Sequence, residues 1–158
     1  MLETTLVLGI GNDILTDDGI GPKLVSDLKN KYFLQEIVFQ NVFLGGLEIL
    51  ELIQGYCTVI FIDAIITKDG IPGSIYQFTP DDFRETLHLS NLHDANFLVA
   101  LDLGRKMGYN LPDKIQIIAI EIIEDRIFSD HFSPKIEEKY TEIFLTVEKM
   151  VRTILRDT

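Results

Sequence analysis

The sequence predicts an α/β fold, a three-layer α/β/α sandwich around a mostly parallel, twisted sheet of about five strands. Three observations carry this. Short apolar runs such as TTLVLGI and TVIFIDA recur along the chain, with the unbroken hydrophobicity of strands buried on both faces. Segments with apolar residues every three or four positions alternate with them, as crossover helices require. Of the 158 residues, 46% are apolar, enough in a chain of this length to fill a core covered on both sides. No Pro/Gly/Ser-rich linker, low-complexity tract or repeat interrupts the pattern, so residues 1–158 are expected to form a single domain.

Taken in order, Thr4–Ile10 is the first strand, closed by glycines. Asp18–Tyr32 reads as a helix with Ile20, Leu24, Leu28 and Tyr32 on one stripe and Pro22 in its first turn, where a missing N–H costs little. Glu36–Phe43 is the second strand, and Gly46–Gln54 a helix burying Leu47, Leu50 and Ile53. Thr58–Ala64 is the third strand, and Ser74–Phe78 a shorter one introduced by the turn IPG. Leu92–Met107 is helical, with Phe97, Leu98, Leu101 and Leu103 apolar and Gly108 just past its end. Lys114–Ile122 is the last strand. Ser133 and Pro134 then open a long C-terminal helix, Ser133 as N-cap, with the stripe Ile136, Tyr140, Ile143, Phe144, Val147, Val151 and Ile154.

The net charge of −11, from 25 acids against 14 bases, argues against nucleic acid and anionic membranes as partners, since neutralising phosphate needs clustered Lys and Arg. No apolar run is long enough to span a bilayer, so no membrane insertion is expected. The opening MLETTLVLGIGND has neither a basic n-region nor a small-residue cleavage site. Cys57 is the single cysteine and can form no internal disulfide, which suits a reducing, cytoplasmic location. Within CTVIFID it reads as buried core filler.

Ligands of open α/β sheets bind beyond the carboxyl ends of the strands, which directs attention to the segments after Ile10, Phe43 and Asp63 and before Leu92. GIGNDILTDDGIG follows the first strand, but the dinucleotide fingerprint fails because its third glycine would fall on Ile14. Asp17 and Asp18 at the helix start would also repel a pyrophosphate, which weakens a nucleotide-binding module. One carboxylate suffices to cap the helix; that role is assigned to Asp17, leaving Asp18 to face outward from the sheet edge. Asp63 ends VIFID, where a carboxylate is costly to bury unpaired; taken alone, it fits a loop-binding aspartate as well as a functional one. His88 and His131 read as ordinary polar residues. His93 opens the helix expected beside the first and third strands, so Asp18, Asp63 and His93 can converge on one rim. Two carboxylates and an imidazole suit nickel, zinc or a similar ion.

These residues, with LVLGIGNDILTDDGIG, GGLEILELI, VIFIDAI, PGSIYQF and LHDANFLVALDLGRKMG in that order, make the chain resemble the hydrogenase maturation endopeptidases. These proteases trim the large subunit of nickel–iron hydrogenases. The resemblance covers nearly the whole chain. It implies metal-contacting residues at Asp18, where some members carry glutamate, at Asp63 and at His93. It implies a nickel-loaded large-subunit precursor as partner, removal of its C-terminal extension, and nickel supplied by that substrate with no permanently bound cofactor. Many members have an Asp-Gly-Gly-Thr-like stretch after the second strand, associated with substrate choice. Here that region reads Asn41-Val42-Phe43-Leu44 followed by Gly45-Gly46, which marks Asn41, Gly45 and Gly46 as substrate-recognition positions.

The mechanism expected is peptide hydrolysis without a side-chain nucleophile, with a carboxylate, Asp17 or Asp18, as base for a water. A monomer that meets its substrate transiently fits the size and acidity. A self-contained zinc aminopeptidase and a non-enzymatic nickel-binding chaperone are the competing readings.

Overall fold

The computed structural model describes residues 4–32, 36–43, 47–85 and 92–157. Five strands form one sheet: β1 (Thr5–Ile10), β2 (Ile37–Val42), β3 (Thr58–Ile65), β4 (Ile75–Phe78) and β5 (Lys114–Glu121), in the order β2-β1-β3-β5-β4. All pairings are parallel except that of β4 with β5. A 3₁₀ turn (Thr16–Gly19) precedes α1 (Ile20–Lys31). The other helices are α2 (Leu47–Ile53), α3 (Pro80–Glu85), α4 (Leu92–Lys106) and α5 (Pro134–Arg156).

Alternation along the strands divides the core into two layers, since successive side chains leave opposite faces. Ile60, Ile62, Ala64, Ile118 and Ile120 pack with Leu24 and Leu28 of α1 and with Ile143, Val147 and Val151 of α5. Leu6, Leu8, Val59, Phe61 and Ile117 pack with Leu50 and Ile53 of α2 and with Phe97, Ala100 and Leu101 of α4. The expected α/β/α layering is therefore present. The apolar stripes of α1 and α5 fall where the spacing puts them.

Several local expectations need correction. The segment from Asp18 is not yet α-helix but a 3₁₀ turn, because it must fold back over the strand end before α1 begins at Ile20. In α4 the buried line is Phe97, Ala100, Leu101 and Gly104, and Leu103 is exposed because it lies off that face. Cys57 is half-buried, not core, and stands one residue before β3. Ser133 occupies the N-cap position of α5 but makes no side-chain cap bond; its hydroxyl donates to Asp17 Oδ2 at 2.7 Å instead.

Two ties hold α5 onto α1. Tyr140 donates its hydroxyl to Asp27 Oδ2 at 2.6 Å, and burial, followed by that carboxylate, pushes the phenol well above its ordinary range. At the far end, the buried Glu148 meets Lys31 Nζ at 2.7 Å and the Tyr32 hydroxyl, with Arg152 alongside. Hydrogen bonds from Lys31, then from Tyr32, hold its carboxyl below the ordinary 4.5. A carboxylate depressed on folding stabilises the fold above its unfolded value, and the contribution is lost as pH falls through the folded one. Glu148→Gln should therefore lower Tm by about 2–4 °C at pH 7, with the gap to wild type closing as pH falls below the ordinary 4.5. Thermal scans of both proteins across that range check it; a gap that does not narrow refutes it.

Candidate active site

The strand order sets the position of the site. From β1 the chain passes to β2 on one side, then crosses back to β3 on the other. The carboxyl ends of β1 and β3 are thus the switch point of the sheet, where the crossovers part and leave a crevice. Asp18 follows the first of these ends and Asp63 lies within the second.

The loop after β1 is shaped to bring its 3₁₀ turn back onto the strand end. Gly11 has φ +146°, and a Cβ there would run into the carbonyl oxygen of Asp18, so only glycine lets the two segments touch. Asn12 N–H donates to Asp18 Oδ2 at 2.8 Å, which orients that carboxylate from its own loop. Gly21, just inside α1, lies so close to the carbonyl oxygens of Ile10 and Ile62 that any side chain would collide with both. The start of α1 therefore rests on the two strand ends together. The 3₁₀ turn carrying Asp18 is held beside the residue preceding Asp63.

Asp63 is half-buried, and its Oδ1 accepts the Ala64 N–H at 2.8 Å. It stands two residues beyond Phe61 and so shares the face covered by α2 and α4. Helix α4 packs on the same face. Phe97 meets Phe61 edge-on, with ring centroids 4.9 Å apart. Downstream of α4, the Asn110 carbonyl accepts from Gly55 N–H ahead of β3, so the helix runs from the carboxyl rim toward the opposite edge. His93, its second residue, stands one turn before Phe97, on the rim side. Nothing about its side chain, or about His88, Gly45 and Gly46, falls among the described residues. Among the described side chains, no three His, Cys, Asp or Glu come together as a metal-binding group.

Two further sequence-predicted residues make long-range polar contacts. Asp17 does not cap the helix it precedes. It is wholly buried, and its carboxylate accepts the Ile123 and Glu124 N–H groups at 3.2 and 3.1 Å and the Ser133 N–H at 2.7 Å, besides the Ser133 hydroxyl. Enclosed in this way, it is in no position to act as base for a water at the rim. Asn41 donates its amide to Pro22 O at 3.2 Å and Ser26 Oγ at 3.0 Å, tying β2 to α1. Cys57 sits at the opposite edge, its N–H on the Thr4 carbonyl. About 20 Å of strand separates it from the rim. His131 is exposed on its polar segment.

Other rim residues were not foreseen. Glu121 ends β5 as Asp63 nearly ends β3, and is buried. It accepts the Thr67 N–H at 2.7 Å and the Thr67 hydroxyl at 2.9 Å, which pins the loop after β3. Burial and the Glu121 charge raise the Tyr76 phenol beside it. The signal was present, an acid set within the apolar run IIAIEII. Thr16 adopts φ +52°, strained for a β-branched residue, and its hydroxyl donates to the Ile127 carbonyl at 2.6 Å. No local pattern announces that contact.

Fold and site together define a doubly wound α/β enzyme with carboxylates at the switch point. A family model described as hydrogenase maturation protease matches residues 22–156, a span that takes in Asp63 and His93 and begins just past Asp18. The hydrogenase 2 maturation protease of Escherichia coli (strain K12) is 37% identical over 122 residues, covering 73% of this chain and 71% of that one. The hydrogenase expression/formation protein HupD of Thiocapsa roseopersicina is 26% identical over 143 residues, 86% of this chain but 62% of its own length. In fold, the chain superposes on the hydrogenase maturating endopeptidase HybD from E. coli with a TM-score of 0.75 at 23% identity, over 95% of this chain and 93% of that one. The chain belongs to the hydrogenase maturation protease family, and is a peptidase.

Proposed function

We propose that this peptidase removes the C-terminal extension of a nickel-loaded nickel–iron hydrogenase large-subunit precursor, recognising it through the nickel that the precursor carries. The observation that carries this reading is the meeting of the Asp18 turn with the end of β3 at the switch point, with His93 one turn before the Phe97 that packs on Phe61. Two carboxylates and an imidazole supply hard and borderline donors suited to a divalent ion of the nickel and zinc type, with positions left for the substrate's own ligands. Asp18, Asp63 and His93 are then half of a coordination sphere that the substrate completes.

Hydrolysis needs a water and a base. Asp17 is enclosed and Cys57 is a strand length away, so the base assigned is the half-buried Asp18, oriented by Asn12. The names of the relatives, which describe hydrogenase maturation proteases, support the substrate class. The cytoplasm as location and a monomer as working form belong to the same reading. So does the absence of a resident cofactor; stoichiometric zinc in the purified protein would favour a self-contained metallopeptidase.

Intact-mass analysis of the precursor before and after incubation tests it. The nickel-loaded form should lose the mass of its C-terminal extension, while the nickel-free form stays whole. An unchanged mass in both refutes the substrate. Equal cleavage of both refutes recognition through nickel.

A further inference from the structure

We propose that the loop Ile123–His131 is a docking lip for the substrate polypeptide, with Ile127 and Phe128 as anchors for an apolar segment flanked by basic residues. Four apolar side chains stand out in solvent beside the rim: Phe128 at 77% exposure, Ile127 at 63%, Ile14 at 52% and Ile123 at 44%. They come from two loops, and the second runs alongside the first. Thr16 N–H donates to the Ser129 carbonyl and Ser129 N–H to the Ile14 carbonyl, each at 3.0 Å. The apolar patch is therefore continuous with the turn that carries Asp18.

Exposed apolar side chains on a loose loop carry little meaning, but this loop is fixed from several sides. The Asp17 carboxylate holds the Ile123 and Glu124 N–H groups, Thr16 holds the Ile127 carbonyl, and Glu124 Oε1 accepts the Arg126 and Ile127 N–H groups at 2.8 and 2.9 Å. A buried carboxylate and a strained threonine thus hold the loop with its largest apolar side chains outward. Presenting them in fixed geometry reduces the ordering cost of binding, and a clustered exposed patch of this kind marks an interaction surface.

The occupant follows from chemistry and position. The inference rests on the endopeptidase reading: such an enzyme acts on a chain that continues on both sides of the scissile bond, so the surface adjoining its site meets that chain. Asp13 beside Ile14, with Glu124, Asp125 and Asp130 in the lip, outweigh Arg126 and His131. Arg126 reaches Asp125 at 3.9 Å and His131 reaches Asp130 at 3.5 Å, leaving the surroundings net negative. An apolar segment with neighbouring Lys or Arg complements this surface.

The test measures the affinity of the nickel-loaded precursor, from the source organism, for wild type, for the double variant Ile127→Ser/Phe128→Ser, and for Val99→Ser. Val99 is equally exposed, at 67%, but lies on α4. The double variant should bind at least about tenfold more weakly and raise KM with kcat little changed, at an unaltered Tm, while Val99→Ser matches wild type. Equal affinity of the double variant and wild type overturns the lip. So does a wild type that binds no precursor, or a Val99→Ser variant as weak as the double one. A precursor bound through the lip but left uncut refutes the endopeptidase reading and leaves the lip standing. Equal binding and equal cutting by both proteins does the reverse.

Discussion

Alanine at Asp18, at Asp63 or at His93 is expected to slow processing of a nickel-loaded precursor by at least about a hundredfold, with Tm within a few degrees of wild type. A metal contact contributes several kcal/mol where charge is stabilised, and each 1.36 kcal/mol is a decade in rate. The carboxylate of Asp18 accepts the Asn12 N–H of its own loop, and that of Asp63 accepts the N–H of the next residue. Both side chains are half-buried at the rim and not part of the apolar core, so loss of activity is expected to separate from loss of stability. Asp18→Glu keeps the donor and lengthens the reach by one methylene, and should retain processing within about tenfold of wild type. Gel mobility of the precursor over time, beside thermal scans, reads both quantities. Undiminished processing by all three alanine variants would remove the site assignment.

The pattern of the sequence carried the layers because it is local. Four-residue spacing marks the face of α1 that meets the sheet, and continuous runs mark strands covered on both sides. The switch point was legible for the same reason: once the strands are in order, an acid at the end of VIFID and another after GIGND must stand near it. Long-range polar contacts were not legible. Asp17 and Ser133 are 116 residues apart, and a carboxylate before a helix looks like a cap whatever it binds. The exposed pair Ile127-Phe128 was likewise hidden, since an apolar dipeptide in an irregular segment has no period that says which way it points. The family resemblance supplied the role of His93. Spacing could bring that residue only to the rim.

Asp17 provides the second large effect, and its signature is the opposite of Asp18's. Asp17→Ala is expected to lower Tm by about 10 °C and to abolish processing together. The carboxylate is fully buried and accepts from three backbone N–H groups and a hydroxyl. Its loss leaves four donors around a partly buried site without their acceptor, a cost of about 3–5 kcal/mol in all, which in a chain of this size is about 10 °C. Asp17→Asn should recover only part of this, because its amide nitrogen is itself a donor turned among donors. Processing fails for a mechanical reason. Asp17 sits between Thr16 and Asp18 and joins the 3₁₀ turn to the start of α5 and to the lip, so releasing it frees the turn that aims Asp18 at the rim. Loss of activity at an unchanged Tm, the signature expected of Asp18→Ala, would overturn this anchoring role. Thermal scans of the two alanine variants side by side, with precursor cleavage measured below both transitions, check it.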